Sequence, residues 1–270
     1  MRAGLALFLH SARRVRTLVL VLAVLLAGDQ VLLTLAARSL QKMDTFGQLA
    51  ALVPEFLRQV LGPSLLTLLS FRGVACLGYF HVAVLAVLMG VAIAVGTEPA
   101  GETETRFTDL ILAHPLARHW IISRSVMLLV ACIVFLLSAM VVGTRLGLYW
   151  LVPAELAGTT FQVVPILSLN LAMLLLCWGS IALVMASVAR RRSVASACTA
   201  LLAMACFMTE VIAQVWQPLK VVARYSPFHY YKSLNLIISS ADAGSDILIL
   251  ACVASMGFIL AYLLFSRRDL

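Results

Sequence analysis

Long apolar tracts separated by short polar stretches set the pattern of this chain. Six tracts stand out: residues 17–37, 74–96, 120–142, 163–187, 194–215 and 247–266. Each is close to the ~20 residues that a helix needs to cross ~30 Å of hydrocarbon. In lipid the backbone must bond to itself, which leaves helices as the element for tracts of this length. The pattern predicts an all-α, polytopic membrane protein with six transmembrane helices and one domain over residues 1–270.

The segments between the tracts are not uniform. Residues 1–16 place Leu5, Leu7, Phe8 and Leu9 beside Arg2, Arg13, Arg14 and Arg16, which suits an N-terminal helix lying in the interface before the first span. Residues 45–71 are amphipathic and read as a surface helix. Residues 216–246 are too polar and Pro-broken to span, yet rich in interfacial aromatics. They are compatible with an outer re-entrant hairpin before the last span, provided that its backbone is buried in protein. Ala195, Ala197, Cys198, Ala200 and Ala203 make the fifth tract rich in small side chains, which let helix backbones approach closely.

Composition strengthens the membrane reading. Hydrophobic residues make up 63% of the chain and charged residues 12%, against about a quarter charged in soluble domains, and the mean hydropathy is +1.04. The formal charge of +8 sits mostly at tract ends, where it orients helices; with no soluble basic domain, nucleic acid is not an expected partner. Twelve Lys and Arg fall on the side of both termini and of the Arg190–Arg191–Arg192 turn, eight on the other. The positive-inside rule therefore puts both termini in the cytoplasm of a multi-pass protein of the cell (inner) membrane. The first tract is too long for a signal peptide and lacks a clean cleavage site, so it is expected to be retained. The six cysteines form no CxxC pair, and His81 and His229 have no second ligand at metal spacing, so neither disulfides nor a metal site is expected. His114 and His119 read as surface residues.

One polar stretch is longer than a turn requires. Residues 98–118 join the second and third spans and hold Glu102, Glu104, Arg106, Asp109 and Arg118. Glu104 to His114 can form a short helix, capped by Thr103 or Glu102, with Phe107, Leu110 and Ile111 on one face. An apolar face with an acidic rim, held between two spans, suits docking of a soluble partner; the plainer alternative is a solvated loop.

The run "GETETRFTDLILAHPLAR" resembles the stretch after the second span in ABC-2 type transporter permeases. Gly101, Glu102, Thr108, Asp109, Leu110, Leu112, Pro115 and Arg118 match that pattern, while Phe107 stands where the family usually has Gly. "ARYSPFHYYKSLNLI" (224–236) resembles the SPF stretch between the family's last two spans. The resemblance covers nearly the whole chain and implies a permease subunit whose cytoplasmic coupling helix docks on an ABC ATPase through Gly101, Glu102, Glu104, Phe107, Thr108, Asp109, Leu110, Pro115 and Arg118. It also implies export and a second copy, or a relative, of this permease. The chain has no G-x-x-x-x-G-K-[ST] phosphate loop. ATP and Mg would therefore bind to the separate ATPase, and this chain would be neither an enzyme nor a holder of cofactors.

Polar groups inside the spans are costly and often line a path. Asp29 falls about 18 Å into the first span and Glu210 near the outer end of the fifth. With Gln30, Asn170 and Gln214 they form the expected lining of a translocation path, although Asp29 and Glu210 could equally bond a neighbouring helix or reach the interface. Expected substrates are a lipid, a drug or a peptide. The rival reading is an ATP-independent channel or secondary carrier. An intramembrane enzyme finds no H-E-x-x-H or G-x-S-x-G motif to support it.

Overall fold

The structure is a computed structural model and describes residues 2–43, 70–105, 119–238 and 243–267. Its elements are α1 (Arg2–Lys42), α2 (Phe71–Ala75), a 3₁₀ turn (Leu77–Tyr79), α3 (Val82–Gly96), α4 (Glu98–Glu104), α5 (His119–Leu151), α6 (Ala154–Phe161), α7 (Val164–Val188), α8 (Arg192–Val215), α9 (Leu219–Ala223), a second 3₁₀ turn (Pro227–Tyr230), α10 (Ser233–Ile238) and α11 (Ala243–Ser266). No strand occurs among the described residues. Five of these helices are long and apolar enough to cross a membrane, and α3 and α4 make a sixth only if the bent pair counts as one span.

The three later tracts fold close to their expected limits. Helix α7 begins at Val164, helped by Pro165 in its first turn, where the missing N–H costs nothing and the fixed φ suits the helix. It is the centre of the bundle, packed by α3, α5, α8 and α11. Leu167, Leu171, Leu174, Leu175, Trp178 and Ala182 are all buried, so a helix that is apolar all round is here surrounded on most of its circumference.

The first three tracts depart from expectation. No break separates residues 1–16 from the first span: α1 is one helix of 41 residues, because no Gly or Pro interrupts residues 5–27. The second span does not start at 74. Its helix begins at Val82, where the His81 ring accepts from the Ala83 N–H at 3.3 Å, and the chain before it is broken into α2 and a 3₁₀ turn. Fifteen residues rise only about 22 Å, short of the hydrocarbon thickness. The third span runs on to Leu151, well past 142. The expected surface helix at 45–71 lies almost entirely outside the described residues.

Close packing joins α1 to α5. Gly143 and Gly147 stand one turn apart on α5. A Cβ at Gly143 would lie 2.5 Å from the Ala27 carbonyl oxygen, and one at Gly147 2.8 Å from Thr34 Oγ1. The G-x-x-x-G spacing thus lets the two backbones touch, as between membrane helices generally.

Between α8 and α11 the chain folds back into the bundle. Phe228 stacks on Trp178 with ring centroids 5.5 Å apart, about 21 Å along α7 from its start. Tyr231 donates its hydroxyl to the Tyr79 carbonyl, and Leu236 and Ile237 are buried in the main core.

Candidate functional site

Helix α3 turns by 42° into α4. Thr97 at the junction is fully buried and donates its hydroxyl to the Ile93 carbonyl at 2.8 Å. Pro99 follows, without an N–H to continue the ladder. Back-bonding Thr and a proline are both known causes of helix bending.

The bend carries three glutamates into the ends of three other helices. Glu98 and Glu102, four residues apart, share the inward face of α4 and are both buried, an arrangement that repels unless cations answer it. Arg124 on α5 meets Glu102 at 2.5 Å, with both side chains almost fully enclosed. Arg14 on α1 approaches Glu98 at 4.0 Å. Glu104 accepts from the Arg192 backbone N–H at 3.0 Å, so a carboxylate from one helix caps the N-terminus of another and complements its dipole. The Arg192 guanidinium reaches across the bend to the Ala94 carbonyl at 2.8 Å.

Small residues make this crossing fit. A Cβ at Gly101 would stand 3.0 Å from Arg192 Cδ, so the glycine leaves room for the arginine stem. Ala100, Ala186 and Ala195 pack together from α4, α7 and α8. Glu98 Oε2 and Arg124 Nε are buried without a hydrogen-bond partner. The Glu98–Glu102–Arg124 part of the cluster is therefore enclosed but incompletely satisfied, while Arg14 and Glu104 at its edge are exposed.

Of the expected docking residues, Glu102 is turned inward to Arg124, Gly101 lies under Arg192, and Glu104 caps α8. Thr103 donates to the Pro99 carbonyl at 2.9 Å within α4, which ends at Glu104; the expected helix from Glu104 to His114 lies almost wholly outside the described residues. Phe107, Thr108, Asp109, Leu110, Pro115 and Arg118 lie outside the described residues.

The expected path residues stand in different settings. Gln30 is fully buried between helices: its Oε1 accepts from the Thr144 hydroxyl at 3.1 Å, and Thr144 is in turn 3.0 Å from the Tyr79 hydroxyl. Asp29, on the neighbouring face of α1, is half-buried. Asn170 is buried on α7 with Oδ1 unpartnered. Gln214 is exposed near the end of α8. Glu210 lies 3.4 Å from His229 Nδ1, with both side chains half-buried.

Beside that last pair runs an apolar groove of about 370 Å³ between α3 and α8, lined by Met89, Gly90, Ala203, Met204, Phe207 and Phe228 among others. Phe207 is one turn from Glu210, and Phe228 precedes His229, so the titratable pair stands at one end of the groove.

Sequence reasoning missed Arg124 as the partner of Glu102, because the two are 22 residues apart and Arg124 counted only toward orientation. It also passed over Gly143 and Gly147, whose four-residue spacing was a readable signal. Among the described residues no three His, Cys, Asp or Glu side chains come together as metal ligands. No family model matches this chain, and no curated protein matches it.

Proposed function

We propose that this chain is the membrane-spanning permease subunit of an ABC transporter, an exporter, driven by ATP hydrolysis in a separate ATPase docked on residues 98–118. The observation that carries the reading is α4. Its three glutamates engage arginines of α1, α5 and α8, so a push on the chain beyond Thr105 would be felt by three helices at once. A partner shifts such an element only if its two states bind the partner differently. In this reading the joint switches between two discrete arrangements, as an element that couples distant sites must.

In this reading the Arg-rich end faces the cytoplasm of the cell (inner) membrane, both termini lie there, and a second copy or relative of the chain completes the permease. The α3–α8 groove, apolar and rich in methionine, suits an apolar or amphipathic substrate such as a lipid, drug or peptide. The rival, an ATP-independent channel or carrier, draws on one observation: the polar Glu210–His229 pair at the end of that groove.

The test is recovery of the tagged chain from its own cells in gentle detergent, with mass spectrometry of what accompanies it. A stoichiometric ATPase carrying a phosphate loop is the expected result. Recovery of the chain alone, active in liposomes without ATP, would overturn the reading in favour of the carrier.

A further inference from the structure

Two carboxylates and one guanidinium are enclosed together where α4 meets α5. Glu98, Glu102 and Arg124 are all buried, and with both acids ionised this group would hold one negative charge in excess. Arg124 is spent on Glu102, which it meets at 2.5 Å. Glu98 has no such partner, and its Oε2 is buried without a hydrogen bond among the described residues.

The other groups around Glu98 do not supply the missing cation. Arg14 on α1 comes only to 4.0 Å of its Oε1 and is 65% exposed, so solvent screens that charge. Arg192 on α8 forms no ion pair with Glu98 and gives its guanidinium to the Ala94 carbonyl at 2.8 Å. The buried thiol of Cys132 on α5 brings no positive charge. Helices α3 and α7, which also pack on α4, hold no acidic or basic side chain.

Enclosure disfavours the charged form of an acid, and a like charge one turn away disfavours it further. A carboxylate that gives up its water must recover hydrogen bonds, and Glu98 recovers none at Oε2. The neutral acid loses far less on the same burial. Where two carboxylates share a site and one of them holds the arginine, the other is the one to take up a proton.

We propose that the α4 joint is a proton-binding site, with Glu98 a neutral carboxylic acid at neutral pH whose ionisation weakens the seat of α4. The joint then holds one charged pair, Glu102 with Arg124, beside one neutral acid. Alkaline pH adds a second negative charge that no enclosed cation answers. The site is independent of the ABC transporter reading and would stand if that reading fell.

The experiment compares the native chain with Glu98→Gln, whose amide keeps the shape of the neutral acid. Thermal unfolding in detergent is followed from about pH 5 to about pH 8, above the value of about 4.3 at which an unfolded glutamate releases its proton. Between that value and the point where folded Glu98 ionises, the folded state holds one proton more, so stability is lost as pH rises. The native midpoint should therefore fall by about 3 °C or more relative to Glu98→Gln over this range, the equivalent of one pKa step in a chain of this size. Contributions of other groups cancel in the difference. As a second measurement, infrared spectra at neutral pH should show a protonated-carboxyl C=O band that Glu98→Gln removes and Asp29→Asn leaves in place. A midpoint difference that does not change with pH, a native chain more stable than Glu98→Gln at the alkaline end, or a band that survives Glu98→Gln would overturn the proposal. Absence of the band from the native chain would do so as well, whether or not Glu98→Gln folds.

Discussion

Two polar clusters hold this bundle together, and they are built from opposite chemistry. Well inside the apolar region, Tyr79, Thr144 and Gln30 link the broken second tract to α5 and α1 through neutral hydrogen bonds of 3.0 and 3.1 Å. At the Arg-rich end, Glu98 and Glu102 link α4 to α1 and α5 through Arg14 and Arg124, and the Glu104 carboxylate caps α8 at the Arg192 backbone N–H. A neutral hydrogen bond between membrane helices stabilises little, because the separated helices find other partners. A buried ion pair stabilises little as a unit but costs a great deal when halved. The first cluster is therefore the weaker tie, and the second is the place where loss of one partner of the Glu102–Arg124 pair is strongly felt.

The comparison is broken hardest at Arg124. Replacing it by methionine strands Glu102 in a buried site and should cost about 3–5 kcal/mol, read as a lowered thermal midpoint in detergent. Arg124→Met with Glu102→Met should recover most of that loss. If the double variant were no more stable than the single one, the pair would not be the joint described here.

A smaller effect is expected where α1 meets α5. Gly143→Ala pushes a methyl group against a backbone carbonyl that cannot rotate away and should cost about 1–3 kcal/mol, the usual range for overpacking. Gly28→Ala is its control, since no atom lies within 4 Å of that position. There the better helix former should gain up to about 1 kcal/mol. A matched response of the two variants in unfolding midpoints would deny the close approach of the helices.

The neutral cluster should respond weakly for its burial. Thr144→Val removes the hydroxyl between Gln30 and Tyr79 and should cost about 0.6 kcal/mol and no more than about 2. A loss as large as that of Arg124→Met would erase the contrast between the clusters. The smallest effect belongs to Lys232, which meets Asp246 at 3.2 Å but is 41% exposed. Lys232→Ala should change stability by less than about 0.5 kcal/mol, and less still in high salt.

Much of the helical layout was readable from the chain. The tracts at 163–187, 194–215 and 247–266 fold as Val164–Val188, Arg192–Val215 and Ala243–Ser266. The second tract misled, because averaged hydropathy does not register that Tyr79, Phe80 and His81 lie at a break where the His81 ring caps the following helix. The small residues of the fifth tract divide in a way that no periodicity announced: Ala195 packs on Ala100 and Ala186, while Ala200 and Ala203 line the groove. In the candidate site the acidic run was conspicuous, yet its direction was not. Glu102 read as a docking residue and lies inside, because the bend at Thr97 and Pro99 swings α4 under the ends of α5 and α8.

What the sequence determined by itself is the kind of element and, for the last three tracts, its approximate length. A helix satisfies its backbone from within the same segment, so an apolar tract is enough to specify one. Which face of each helix is buried, and against what, was decided only by the tertiary structure. In lipid an apolar side chain is at ease on either side of a helix, and hydropathy cannot rank the faces. That ranking came from the few positions where helices nearly touch or where a charge must find its partner: Gly143 on Ala27, Gly257 on Ser180, Arg124 on Glu102.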